Sequence, residues 1–168
     1  MDGKAIQDYY PDNFSHCYGC GKNNEHGHHL KSYWDGNTTV ARFKPESYHT
    51  GGFPGNVYGG LIASLIDCHG NASAAAAAFK AEGREMWTEP PIRFVTASLK
   101  IDYLKPTPQG VELEIRGEIL EVKDRKVTLD ISLIANGIVC AKGHMIAVKL
   151  AGNASMNNTG SDKVVKDA

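Results

Sequence analysis

The most regular pattern lies in the second half of the chain, where apolar and polar positions alternate. Val95, Ala97, Leu99, Ile101 and Tyr103 alternate with Thr96, Ser98, Lys100 and Asp102. A period of two predicts a half-buried strand, here stopped by Pro106 and Pro108. Val111, Leu113 and Ile115 alternate with Glu112, Glu114 and Arg116, and Val127, Leu129, Ile131 and Leu133 alternate with Thr128, Asp130 and Ser132. Turns are expected at Lys123–Lys126 and at Asn136-Gly137, with a last strand from about Ile138 to Leu150. Nearer the start, the β-like runs Leu30–Trp34 and Thr39–Phe43 flank Asp35-Gly36-Asn37, which predicts a hairpin. Ahead of them, residues 17–29 (CYGCGKNNEHGHH) read as a loop. Within residues 1–16, Ile6, Tyr9, Tyr10 and Phe14 lie at roughly helical spacing, as a short docking helix requires.

One segment breaks the alternation. Residues 49–60 (HTGGFPGNVYGG) hold five glycines and a proline, which means a loop with special backbone angles. From about Gly59 to about Lys80 a long helix is expected. Its alanines have the highest helix propensity, and its apolar residues occupy nearly every face. Such a helix must be enclosed. The economical fold is α+β, with an antiparallel sheet wrapped around one long central helix.

Composition narrows the function. The 168 residues are 42% hydrophobic and 22% charged, ordinary for one globular domain. Lys and Arg number 18 against 19 Asp and Glu, leaving a net charge of −1. That argues against a dedicated nucleic-acid binder. No apolar run reaches a membrane span, and the polar, acidic stretch Met1 to Asp12 does not have the pattern of a signal peptide. Cys17, Cys20, Cys68 and Cys140 are therefore expected as reduced thiols in the cytoplasm. Residues 17–150 form the expected domain, and the polar residues 151–168 a disordered tail.

The candidate chemistry starts with an acid among aliphatics. Asp67 follows Leu61-Ile62-Ala63-Ser64-Leu65-Ile66 in mid-helix. Burial raises the pKa of such an acid unless donors reach it. Ser64, Asp67, Asn71 and Ala74 share one small, polar face. The alternative is a helix with one solvated stripe, on which Asp67 has no task. Gly59 and Gly60 open the same helix, where amides lack internal partners and carry partial positive charge. A carbonyl oxygen close to those amides would sit in an oxyanion hole, although glycine pairs also occur in ordinary helix starts. Gly59 and Asp67 are eight residues apart, about 12 Å along the axis. If both act on one carbonyl, the second must come from another copy of the chain.

These residues carry a resemblance. PGNVYGGLIASLID resembles the P-G-x-V-H-G-G-x(5)-L-x-D signature of hotdog-fold acyl-CoA thioesterases of the phenylacetyl-CoA type. VTASLKIDYLKPTP resembles the strand after the helix in that family, and CYGCGKNNEHGHHLK resembles its segment before the first strand. The resemblance implies a hotdog fold and a homodimer, often a dimer of dimers and so a homotetramer. It implies a hydrolase acting on acyl-CoA, with no cofactor beyond the CoA of the substrate. Asp67 then corresponds to the general base or nucleophile, the Gly59 amide to the oxyanion donor, and Thr96 to the hydroxyl that holds the water or the aspartate. Tyr58, Gly60, Asn56 and Asn71 are the expected substrate-binding positions, together with Arg125 and Lys126 in a basic turn suited to the phosphates of CoA. That turn also reads as a solvated hairpin tip.

One departure stands out. The family's histidine before Gly-Gly is Tyr58 here, and Gly52 stands where many members place an amide side chain. Tyrosine still donates a hydrogen bond, but with a pKa near 10 it is no neutral-pH base. The alternative is thus an acyl-CoA-binding hotdog protein without efficient hydrolysis. A hydratase would need a histidine near the helix start. Cys17 and Cys20 with His26, His28 and His29 offer zinc-ligand types, but their spacing is shorter than in ordinary zinc fingers and no second Cys-x-x-Cys follows. No metal is assigned on this pattern. Cys68 and Cys140 read as small buried residues, and His69 and His144 as satisfied polar ones.

Overall fold

Strands with one apolar face need a cover, and the all-round apolar segment supplies it. The computed structural model describes residues 3–150. Its single long helix, α1, spans Gly59–Ala81. The strands are β1 (Ser32–Asp35), β2 (Thr38–Phe43), β3 (Phe94–Tyr103), β4 (Leu113–Lys123), β5 (Lys126–Ala135) and β6 (Ile138–Lys149). They form one six-stranded sheet in the order β1-β2-β4-β5-β6-β3, and every pairing is antiparallel. This is the expected α+β architecture, with α1 lying across the sheet. No helix among the described residues is long and apolar enough to cross a membrane.

The core forms where α1 meets the middle strands. Leu61, Leu65 and Ile66 of α1 are fully buried, as are Leu113 and Ile115 of β4, Leu129 and Leu133 of β5, and Met145 of β6. Each such side chain contributes roughly 1.5–3 kcal/mol of burial. The alanine run Ala74–Ala78 is buried throughout.

β3 departs from strict alternation. Its pairing with β6 shifts register between Thr96 and Ser98, leaving Ala97 as the extra residue of a bulge. A bulge reverses the phase of alternation. Phe94 and Thr96 are covered on one side of it and Leu99 and Ile101 on the other, whereas Val95, Ala97 and Tyr103 are exposed. The expectation that Val95 and Ala97 share the inner face with Leu99 and Ile101 is therefore corrected, whereas Tyr103 keeps that phase.

At the other end of the chain, 3-10 turns at Ile6–Tyr9 and Asp12–Phe14 replace one docking helix. Pro11 between them lacks the N–H a continuous helix would use. Ile6 and Tyr10 are nonetheless buried. Gln7 pins the segment to β1: its Nε2 donates to Ser32 Oγ at 3.0 Å, and its Oε1 accepts from the Ser32 amide at 2.7 Å. The tail expected over 151–168 lies outside the described residues.

Candidate active site

Helical spacing puts Ser64, Asp67 and Asn71 on one face of α1, and the β3 bulge aims Thr96 at that face. The Thr96 hydroxyl donates to Asp67 Oδ1. Asn71 Nδ2 donates to Thr96 Oγ1 at 2.7 Å and to the Asp67 carbonyl at 3.2 Å. Thr96 thus accepts from Asn71 and passes its own proton toward the carboxylate, so the chain of donors is directional. Asn71 Oδ1 is buried with no hydrogen-bond partner among the described residues. Asp67 itself is half-buried. Burial pushes its carboxyl above the usual range, and the Thr96 hydrogen bond pulls partly back.

Asp67, Asn71 and Thr96 line a cavity of about 430 Å³. Its far wall is aromatic and aliphatic: Tyr10, Phe14, Trp87, Ile92 and Phe94. Trp87 meets Tyr10 nearly edge-on and Phe14 at a tilt, with ring centroids 5.1 and 5.4 Å apart. Arg93 also lines the cavity, its guanidinium 5.0 Å from the centre of the Phe14 ring. The result is an oily chamber with a carboxylate and two hydrogen-bonding side chains on one side.

The helix start is a separate place in the same chain. Tyr58 precedes α1 in an extended conformation, 40% exposed. A side chain at Gly60 would lie 2.3 Å from the Tyr58 ring, so the ring holds this position only over glycine. The Tyr103 hydroxyl donates to the Gly59 carbonyl at 2.9 Å. Asn56 uses its backbone, which bridges to Pro108 and accepts from the Gly51 amide at 2.7 Å. Tyr58, Gly59, Gly60 and Asn56 do not line the cavity that holds Asp67. Arg125 and Lys126 lie at the β4–β5 turn, where Arg125 donates to the Lys149 carbonyl. Of the expected site residues, one chain thus unites Asp67, Asn71 and Thr96 and leaves the others elsewhere.

Other placements carried no clear signal in the sequence. Tyr103 keeps its inner strand position, but the contact it makes there with the helix start had no mark of its own. Trp87 lies in a charged connection. Cys68 points at the first loop, where its sulfur is 3.6 Å from that of Cys17. The three sulfurs of Cys17, Cys20 and Cys68 lie within 4.8 Å of one another. The Cys20 thiol, its neighbours' amides and Cys68 hold Cys17 far below the usual thiol range, while Cys17 pushes Cys20 up to about 12. His26, His28 and His29 do not join this group: His29 Nε2 bonds the Asn24 carbonyl, and His28 stacks among Tyr18, Phe43 and His49.

Comparison with known proteins follows the same outline. The family model of the thioesterase superfamily matches residues 54–141. A thioesterase superfamily protein from Shewanella loihica PV-4 is 53% identical, over 84% of this chain and 100% of that one, with a TM-score of 0.64. The E. coli PaaI protein from the phenylacetic acid degradation operon shares 15% identity over 73% of this chain and 80% of its own, with a TM-score of 0.60. A Streptococcus mutans protein bound to acetyl-CoA shares 15% identity over 72% of this chain and 88% of its own, with a TM-score of 0.59. The last two likenesses are of fold. No curated protein sequence matches the chain.

Proposed function

Because the chain belongs to the thioesterase superfamily, we propose that it hydrolyses an acyl-CoA thioester to a carboxylic acid and free CoA. The observation that carries this reading is Asp67, held by Thr96 in the wall of an apolar cavity. An acyl chain fills such a chamber, and its carbonyl then faces the carboxylate. That a fold neighbour holds acetyl-CoA supports CoA as the leaving group.

Asp67 takes a proton from water as the hydroxyl adds to the thioester carbon. The carbonyl oxygen becomes an oxyanion, and its collapse breaks the C–S bond. The CoA thiolate leaves and takes up a proton. In the nucleophilic variant, Asp67 attacks directly and water opens the resulting anhydride. Thr96 orients the carboxylate in both, and Asn71 orients Thr96. The oxyanion is received by the Gly59 amide of a second copy, since one helix cannot bring both groups to one atom. The working unit is therefore a homodimer, alone or doubled. Tyr58 and Gly60 shape the mouth of that shared site with Asn56, and Arg125 and Lys126 attract the CoA phosphates. CoA enters only as substrate, and no cofactor takes part in this chemistry. Four free cysteines suit a reducing compartment, so the cytoplasm is the proposed location.

A thiol-release assay across short, long and aromatic acyl-CoAs tests the reading. Asp67→Asn should lose at least about 100-fold in turnover with its melting temperature kept. An Asp67→Asn protein at full rate would assign the chemistry to another group. Tyr58 favours a second reading, a binder without efficient hydrolysis. Tight acyl-CoA binding with no turnover by wild type would select it.

A further inference from the structure

We propose that Cys17, Cys20 and Cys68 form a three-thiolate site for a zinc ion, built between the first loop and α1 and open to the cavity. Zinc at about 2.3 Å from each thiolate in a tetrahedral site sets the sulfurs about 3.8 Å apart. Cys17 and Cys68 already stand at 3.6 Å, and all three sulfurs lie within 4.8 Å. Among the described residues, no other three cysteine, histidine or acidic side chains converge in this way.

The surrounding backbone is shaped for this convergence. Cys17-Tyr18-Gly19-Cys20-Gly21 folds into a tight turn in which the Gly21 amide donates to the Cys17 carbonyl at 2.8 Å. A side chain at Gly21 would lie 2.5 Å from the Cys17 amide nitrogen and the Ser15 carbonyl oxygen. One at Gly19 would lie 2.1 Å from the Cys68 sulfur. Glycine at 19 is what lets the loop close onto the helix, and the Leu30 amide fixes that closure by donating to the Gly19 carbonyl at 3.0 Å.

Ligand chemistry selects the ion class. Three soft sulfurs favour zinc over magnesium or calcium, which take oxygen. A redox pair would use two sulfurs and leave the third without a task. All three cysteines line the cavity that Asp67 lines, so the fourth position faces it and takes water or a ligand from the cavity.

The site is independent of the hydrolysis reading, and metal binding is measured without turnover. The reduced full-length protein is titrated with cobalt(II) as a spectroscopic stand-in, then with zinc. The expected results are one equivalent bound, an intense thiolate-to-cobalt absorption, and its displacement by zinc. Cys17→Ser, at an exposed position, should weaken binding at least about 10-fold with the circular dichroism unchanged. Cys20→Ser and Cys68→Ser should do the same, and Cys140→Ser and His28→Ala should leave binding intact. No thiolate-to-cobalt band in the reduced protein would overturn the site, and so would a band that survives Cys17→Ser. A Cys17–Cys20 disulfide that forms in air despite excess zinc would replace it with a redox pair.

Discussion

Asp67 has one side-chain donor, Thr96, and that donor has one supporter, Asn71. A hydroxyl bonded to a carboxylate contributes about 1.5–3 kcal/mol, or roughly 10- to 100-fold in rate if the bond is needed only in the transition state. Thr96→Val should therefore lower kcat by about that factor and change KM little, while Thr96→Ser restores most of the rate. Steady-state kinetics on one acyl-CoA decide it. Equal loss in both variants would mean that the methyl group, and so packing, is what matters at 96. The acid and Asn71 were readable from helical spacing alone. Thr96 was readable only by resemblance, because strict alternation placed it on the outer face. Alternation carries no mark of the extra residue at Ala97, since alanine suits either side of a strand. The meeting of Cys68 with Cys17 was equally hidden, for it depends on a glycine 49 positions upstream that gives room for a sulfur.

Beyond the Asp67–Thr96–Asn71 chain, a second and fully buried polar cluster joins the helix to the sheet. His69 of α1 is fully buried, its two ring nitrogens 2.9 Å from Ser32 Oγ of β1 and 3.1 Å from Thr39 Oγ1 of β2. Thr39 in turn bonds Ser73 Oγ at 2.6 Å. Gly117 of β4 makes room for this cluster: a side chain there would lie 2.6 Å from Thr39 Oγ1. Gly117→Ala should destabilise by about 1–3 kcal/mol through overpacking, seen as a lower denaturant midpoint at unchanged m-value. A wild-type midpoint would mean that β2 yields freely. The loop before α1 has its own anchor. His49 is buried, and its Nδ1 accepts the Glu46 amide at 3.0 Å while its carbonyl accepts from Tyr58. Burial lowers its pKa below the ordinary 6.5. The unfolded chain then takes up the proton first, so the contribution of His49 is full above pH 6.5 and is lost as pH falls through the lower native value. Melting scans between pH 7.5 and 5 should show a shallower decline for His49→Gln than for wild type, and parallel curves would assign the decline to other groups. The helix and the strands were legible because burial writes its period into the sequence. The polar cluster was not, because its members come from four separate elements.

Among the described residues the sheet has an open edge at β3, and the proposed dimer would use it to bring Asp67 and the Gly59 amide together. β3 closes one side of the sheet, and among the described residues no further strand lies beside it. Val95 is 38% exposed, Tyr103 55% and Leu104 52%, an apolar fringe that favours a second strand. Thr96, near one end of β3, holds Asp67, and Tyr103, at the other end, holds the Gly59 carbonyl. If two copies pair antiparallel about the middle of β3, the Tyr103 end of each lies beside the Thr96 end of the other. The two-fold axis then sets the helix start of one copy against the Asp67 of its twin, twice per dimer. Sedimentation should accordingly find at least a dimer, and Val95→Lys with Leu104→Lys should yield monomers that turn over poorly although Asp67 is untouched. The stronger test separates the two halves genetically. Asp67→Asn removes the acid. Gly59→Pro removes the amide at a first-turn position that tolerates proline. Each variant alone should be nearly inactive. Mixed under conditions that exchange subunits, half of the dimers are hybrids, and each hybrid has one intact site and one doubly broken site. Activity should return to about a quarter of wild type. A mixture that exchanges subunits yet stays inactive would mean that the acid and the amide do not serve one site, and an active wild-type monomer would remove the need for a partner altogether.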